Sequence, residues 1–483
     1  MRSNDTDFKY DLVVIGAGPG GYVAAIKAAK LGMKTAIIES REIGGTCLNR
    51  GCIPTKTLMH SSHLYQETKS FAEAGISMEG VSFDLDRIQN RKEEVVNKVR
   101  QGIASLLQAN GVTVIHGAAV IQGSNQIRLR VPTAAEEDGG NDFTETTIDT
   151  DKILIATGSR PAVPKIKGMD LPNVITSDEL LSKRSLYGKL LIIGGGVIGI
   201  EFASIYSDLG CEVEIIEAMD RILPNMDKEI SQSIAMNLKK KGVGIHTKAK
   251  VTGITEDGNG GLVCQYEEKE TVKTASAEGI LVAVGRRANT EGLFAPDAGV
   301  EYDGAAIKVD ASFETNIPGI YAIGDVIKGK QLAHAASAQG IAAVEGMNGR
   351  EPSINLAVIP SCIYTTPEVA AVGMNEEEAA ADGYTVKTGK YLMLGNAKTQ
   401  LSGGERGFIK VISDEATGKL LGAQLLCDRA TDMVSEFATA IVNGLTARDL
   451  ASVIRPHPTY SEAITEAVED IDGMAVHLMP KRR

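Results

Sequence analysis

Apolar positions in this chain fall into short unbroken runs and into longer alanine-rich stretches with one polar side. DLVVI (residues 11–15) has the length of a buried strand. GAGPGG follows it as a tight turn, YVAAIKAAKLG has helical periodicity, and TAIIE (35–39) is a second strand. Residues 11–39 therefore predict one β-α-β unit. The pattern recurs over 190–217 as LLIIG, GGVIG, IEFASIYSDLG and EVEIIE. In both copies glycines hold the first, third and sixth turn positions: Gly16, Gly18 and Gly21, then Gly194, Gly196 and Gly199. A glutamate stands 23 residues after the first glycine in each copy, at Glu39 and at Glu217. This internal repeat organises the chain.

Between the copies lie a helical pattern over 86–109, a strand near 112–116 and the strand KILIATG. The polar stretch 132–150, with EEDGGND, reads as a hairpin tip or surface insertion. After the second copy, VTGITEDGNGGLVCQYEE predicts a hairpin, and ILVAVG and IYAIGD are short buried strands that run into glycine. From about residue 357 strands such as FIKVI and LLGAQLL give way to helices, the mark of a separate α+β unit. The fold class is α/β: two Rossmann-like dinucleotide-binding domains plus a C-terminal α+β domain. The expected divisions are 1–158, 159–286, 287–356 and 357–483.

Composition narrows the function. The 483 residues are 43% hydrophobic and 23% charged, which excludes wholesale disorder. A net charge of -12 argues against nucleic acid or an anionic membrane as the partner. No apolar run approaches the roughly 18 residues of a membrane span, and the polar opening MRSNDTDFKYD is unlike a signal peptide, so a cytoplasmic location is expected. Six cysteines are too few for a disulfide scaffold. The 52 glycines, without a Gly-X-Y period, belong at turns and close backbone approaches.

The repeat has a chemical meaning. A strand, a G-x-G-x-x-G turn and a helix form a pyrophosphate cradle: the first glycine allows the turn, the second admits the ligand, and the third lets helix and strand pack. The helix N-terminus offers free N–H groups, and the later glutamate can accept from ribose hydroxyls. Two such sites imply electron transfer between two nucleotides. Glu217 would repel a 2′-phosphate, which favours NAD over NADP, although Arg221 lies four residues on.

GGTCLNRGCIPTK places Cys47 and Cys52 five apart. On an ideal helix that spacing separates Cα atoms by roughly 8–9 Å, beyond the ~7 Å limit for a disulfide. A bridge needs a break, for which Gly51 and Pro54 are placed. The pattern reads as a redox-active dithiol; two buried, unpaired thiols are the alternative, as expected at Cys211, Cys264, Cys362 and Cys427. No metal site is expected, since no second Cys or His pair stands at ligand spacing. Lys56 shares the Cys52 face if the segment is helical, or else is a solvated lysine.

In RPHPTYSEAITEAVED, His457 stands between two prolines ahead of a helix. It is either a base for making thiolates or an ordinary exposed histidine, and Glu462 either orients it or forms a capping box with Thr459. His60, His63, His116, His246 and His477 have no comparable setting. GGERG (403–407) reads as a surface turn.

These four signals, in this order, resemble the pyridine nucleotide–disulfide oxidoreductases of class I, most closely the branch that oxidises dihydrolipoyl groups. The resemblance spans the chain, and GGTCLNRGCIPTK and RPHPTYSE carry it. It implies FAD at the first turn, with Lys56, Gly117, Thr157, Gly158 and Ser159 along it, Asp325 at the ribityl chain, and Gln331, Leu332, Ala333 and His334 near the ring. NAD would take the second, with Val251 near its adenine, Gly285 near its nicotinamide, and Glu201 paired with Lys56. The resemblance further implies a Cys47–Cys52 disulfide, with Cys47 as the interchange thiol and Cys52 against the flavin. His457 and Glu462 would come from the other subunit of a homodimer. The partner would be the lipoyl-bearing protein of a 2-oxoacid dehydrogenase complex or the glycine cleavage system. Residues 287–356 would complete the FAD site and 357–483 the dimer interface. A glutathione-type reductase using NADPH and a non-catalytic subunit are the rival readings. The absence of a C-terminal cysteine pair makes mercuric reductase the weaker relative.

Overall fold

The computed structural model describes residues 9–132, 143–404 and 406–480. The opening segment up to Phe8, the centre of the 132–150 stretch and Glu405 of GGERG lie outside the described residues.

The first sheet is organised by one long strand, Phe143–Ile155. Its second half pairs in parallel with Lys9–Ile15 and with Ile320–Ala322. Its first half pairs antiparallel with Gln126–Pro132, which in turn pairs with Ala118–Gly123. Residues 143–149 of the polar 132–150 stretch are thus paired strand, and 133–142 lie outside the described residues. Thr35–Glu39 and Thr113–His116 extend the sheet on the far side of Lys9–Ile15. The DLVVI run is uniformly apolar because both faces of its strand are covered. Leu12 and Val14 face the helices Pro19–Lys30, Leu85–Ala109 and Ala333–Met347, while Val13 and Ile15 face the antiparallel layer.

The repeat builds a second sheet, wholly parallel, in the order Gly244–His246, Glu212–Ile216, Lys189–Ile193, Gly279–Val282, Val174–Ile175. A three-stranded antiparallel sheet (Ala249–Glu256, Leu262–Glu268, Thr271–Ala277) forms from the expected hairpin and one further strand. The C-terminal part is a five-stranded antiparallel sheet, Ser361–Ile363, Val369–Gly373, Leu420–Leu426, Phe408–Asp414 and Val386–Leu392 in order, with Ala430–Val442 and Glu462–Glu469 packed on it. The α/β class with a separate α+β unit is therefore as the pattern predicts. Ile320–Ala322 and helix Ala333–Met347 return to the first sheet, so the chain closes that unit only after completing the second.

Candidate active site

The two glycine turns fold alike for the same steric reason. Gly16 has φ +102, and a Cβ there would sit 2.4 Å from the Ala156 carbonyl oxygen; Gly194 has φ +111 with the same 2.4 Å clash at Ala283. A Cβ on Gly21 would lie 1.8 Å from the Gly16 oxygen, so helix and turn touch backbone to backbone. Gly199 meets Gly194 at 2.1 Å in the same way. Helices Pro19–Lys30 and Val197–Asp208 begin at Gly18 and Gly196 without a side-chain cap. Their free N–H groups and positive dipole ends suit a pyrophosphate.

The paired glutamates are braced identically. Glu39 accepts from the Ala17 and Arg41 amides at 2.7 and 2.8 Å, and Glu217 from Gly195 and Met219 at 2.6 and 2.7 Å. Each carboxylate is buried and fixed, with lone pairs left for ribose hydroxyls.

The cysteines sit where a helix is interrupted. Cys47 belongs to Gly45–Arg50, Cys52 starts Cys52–Glu67, and Gly51 between them leaves helical geometry at φ -143 and ψ -116. A Cβ at Gly51 would come within 3.0 Å of the Thr46 oxygen. The break brings the two side chains into hydrogen-bond contact as free thiols, not as the bridged pair. Their environments differ. The Cys47 hydrogen bond, opposed by burial and aided by the Lys56 charge, brings the Cys52 pKa down to about 7. The Cys52 helix N-terminus favours a thiolate as well. Cys47, bonded to that thiolate and buried, is pushed well above the usual thiol range.

Lys56 is not a solvated lysine. It lies one turn beyond Cys52 and bonds both oxygens of Glu201, at 2.8 and 2.7 Å. Glu201 is 3% exposed on the second turn's helix, and it also accepts from the Tyr364 amide at 3.2 Å. One ion pair thereby ties the cysteine helix to the helix that follows the second glycine turn.

Both turns, both cysteines, Lys56 and Glu201 open on one cleft of about 2270 Å³, more than twice the roughly 1,000 Å³ upper range of single small-molecule sites. Gly117, Thr157, Gly158, Ser159, Asp325, Gln331, Leu332, Ala333, His334, Val251 and Gly285 also line it. Gly21 and Gly199 do not; their role is packing. Sequence reasoning missed Arg286, whose Nε and Nη2 donate to the Ser159 hydroxyl and carbonyl at 2.7 Å each, while that hydroxyl donates to Asp325 at 2.6 Å. Its position directly after Gly285 was the available signal. Asp178 was missed too; burial raises its pKa, and it lines the same cleft.

His457 and Glu462 lie outside the cleft. The His457 side chain is 71% exposed, and its Nδ1 meets Glu462 Oε1 at 2.8 Å. Glu462 Oε2 accepts from the Thr459 amide, but the Thr459 hydroxyl turns away to the Pro456 carbonyl at 2.7 Å. The helix starts at Glu462, so the capping-box alternative is only half met. His477 departs from expectation as well. Its Nδ1 lies 2.6 Å from Glu466 Oε1, and that bond raises its pKa.

A family model described as pyridine nucleotide-disulphide oxidoreductase matches residues 10–340, and one described as the dimerisation domain of that family matches 359–468. A dihydrolipoyl dehydrogenase of Bacillus subtilis (strain 168) is 42% identical over 472 residues, covering 97% of this chain and 99% of that relative. The mitochondrial dihydrolipoyl dehydrogenase of Homo sapiens is 40% identical over 470 residues, covering 96% and 91%. Among solved structures, the HOCl-induced flavoprotein disulfide reductase RclA from Escherichia coli aligns at a TM-score of 0.82 and 30% identity, covering 95% of this chain and 99% of that one.

Proposed function

The chain belongs to the class I pyridine nucleotide–disulphide oxidoreductases, and on that premise we propose how its residues divide the work. It oxidises dihydrolipoamide to lipoamide and reduces NAD, through FAD and a cysteine disulfide. It acts as a homodimer. One observation carries the residue assignment: two uncapped turns with matching braced glutamates share a single cleft with Cys47 and Cys52.

That cleft fits two dinucleotides. Gly16, Gly18, Gly21 and Glu39 would hold FAD, with Ser159 and Asp325 as a pre-bonded polar pair beside it. Gly194, Gly196, Gly199 and Glu217 would hold NAD. When bound, FAD supplies the two-electron relay between the thiols and NAD.

The protein's residues manage sulfur and protons. The partner's Glu462 accepts from Nδ1–H of the partner's His457, which leaves Nε2 free to take a proton from the first substrate thiol. The resulting thiolate attacks Cys47 Sγ, and the Cys47–Cys52 bond breaks with Cys52 leaving as thiolate. Lys56 and the helix N-terminus stabilise that charge. The second substrate thiol then attacks the substrate sulfur of the mixed disulfide, which closes lipoamide and frees Cys47 to accept the remaining proton. His457 lies on the surface outside the cleft of its own chain, as a residue supplied across a dimer would.

We place the lipoyl group on a carrier protein of a 2-oxoacid dehydrogenase complex or the glycine cleavage system. Residues 1–158 and 287–356 would together form the FAD unit, 159–286 the NAD unit and 357–483 the dimer contact. Among the described residues no helix is long and apolar enough to cross a membrane. Four further cysteines stand unbridged, which suits a reducing compartment, and we propose the cytoplasm.

The deciding assay compares dihydrolipoamide with NAD against glutathione disulfide with NADPH. Turnover is expected only with the first pair, and Cys47→Ser should abolish it while flavin is retained. Glutathione reduction by NADPH would overturn the substrate reading.

A further inference from the structure

Strand Phe408–Asp414 buries all seven of its residues, yet its third is a lysine. Lys410 is 4% exposed, and its Nζ lies 2.7 Å from Asp227 Oδ2, 3.2 Å from Glu229 Oε1 and 3.9 Å from Glu376 Oε1. Lys390, from the neighbouring strand, also bonds Glu229. Burial works against the Lys410 ammonium, and the bond to Asp227 together with the charges of Asp227, Glu376 and Glu229 more than offsets it.

Asp227 and Glu229 belong to the second nucleotide unit, not to the C-terminal sheet. Asp227 caps helix Lys228–Lys240 by accepting from the Glu229 amide at 2.8 Å. It also ends the loop that starts at Glu217. The other end of that loop is fastened to the second glycine turn: Leu223 N donates to Gly195 O at 2.8 Å, and Gly195 N donates to Glu217 at 2.6 Å. The Ser231 hydroxyl donates to Ile222 O at 2.5 Å, which fixes the middle of the loop to the helix. Bonded contacts therefore run from Lys410 through Asp227 and the loop to the glutamate at the ribose position. Asp227 itself lines the cleft.

Buried ion pairs contribute little net stability against apolar replacements, and their best-attested use is to fix geometry. We propose that Lys410 is a positioning residue for the nicotinamide dinucleotide: its bond to Asp227 holds the 217–227 loop in the shape that receives the adenosine ribose, and so links the C-terminal sheet to that site. The proposal rests on the assignment of NAD to the second glycine turn.

Lys410→Met, Lys410→Arg and Glu217→Ala separate the two ideas. The readouts are NAD affinity by calorimetry, KM for NAD, and the rate at which dihydrolipoamide reduces the holoenzyme in the absence of NAD. Lys410→Met should weaken NAD binding and raise its KM about tenfold, leaving that reductive rate and the flavin content unchanged. Lys410→Arg should recover most of the affinity. If Lys410→Met does not fold, Asp227→Asn should give the same split. Unchanged NAD affinity, or an equal fall in both half-reactions, overturns the proposal. If Glu217→Ala leaves NAD affinity unmoved, the site assignment itself fails; if only Glu217→Ala weakens it, the Lys410 proposal alone fails.

Discussion

At the residue scale, chemistry is decided by small asymmetries between like groups. Cys47 and Cys52 are both half-buried, but only Cys52 starts a helix with Lys56 one turn away, and only its pKa falls, to about 7. Ultraviolet thiolate absorbance of the reduced protein should therefore rise through a midpoint near 7, with Cys52 as the group ionising. Lys56→Met removes a charge that lowers the Cys52 pKa, so its midpoint should move up; an unmoved midpoint would show that Lys56 does not tune the pair. Glu217→Ala should erode the preference for NAD over NADP, checked by the ratio of kcat/KM values. These residues were legible in the sequence because spacing alone singles out Gly16, Gly194 and the Cys47–Cys52 pair. Asp178 was not legible, and Arg286 only through its place directly after Gly285, since their roles arise from segments far apart in the chain that meet only at the cleft.

At the element scale, helix Pro19–Lys30 is held to helix Ala333–Met347 by more than apolar packing. Glu345, 5% exposed, accepts from Lys27 at 2.7 Å and from the Ser353 amide at 2.7 Å, and these bonds lower its pKa to about 2. A depressed carboxylate contributes stability at neutral pH, and that contribution is lost as pH falls from its ordinary value of 4.5 towards about 2. Glu345→Gln should destabilise the protein by roughly 1–3 kcal/mol at neutral pH in urea unfolding. The gap to the parent should close on acidification; a constant gap would contradict the linkage. Strands and glycine turns were readable from periodicity, because burial on both faces leaves an unbroken apolar run. For Glu462 spacing left two readings open, because Thr459 and Glu462 have the spacing of a capping box while the Thr459 hydroxyl finds the Pro456 carbonyl instead and Glu462 meets His457.

At the scale of the whole molecule, the two glycine-turn units and a C-terminal sheet assemble one cleft, but the base expected for the thiol chemistry stays outside it. His457 is exposed, and so is Ile454 three residues before it, at 96%, an apolar side chain that a second subunit would cover. The sequence alone could not place His457 relative to Cys47, because that relation is one of assembly. The central claim is that each site joins the cysteine pair of one subunit to the histidine of the other. Cys47→Ser and His457→Gln homodimers should each be inactive, with losses for the histidine change on the order of 10²–10⁴. Dissociated, mixed in equal amounts and reassociated, they should regain about one quarter of parental activity, since half the dimers are mixed and each of those holds one complete site of two. Recovery of dihydrolipoamide-dependent NADH formation to that level is the predicted result; a mixture as inactive as its parents would contradict the account.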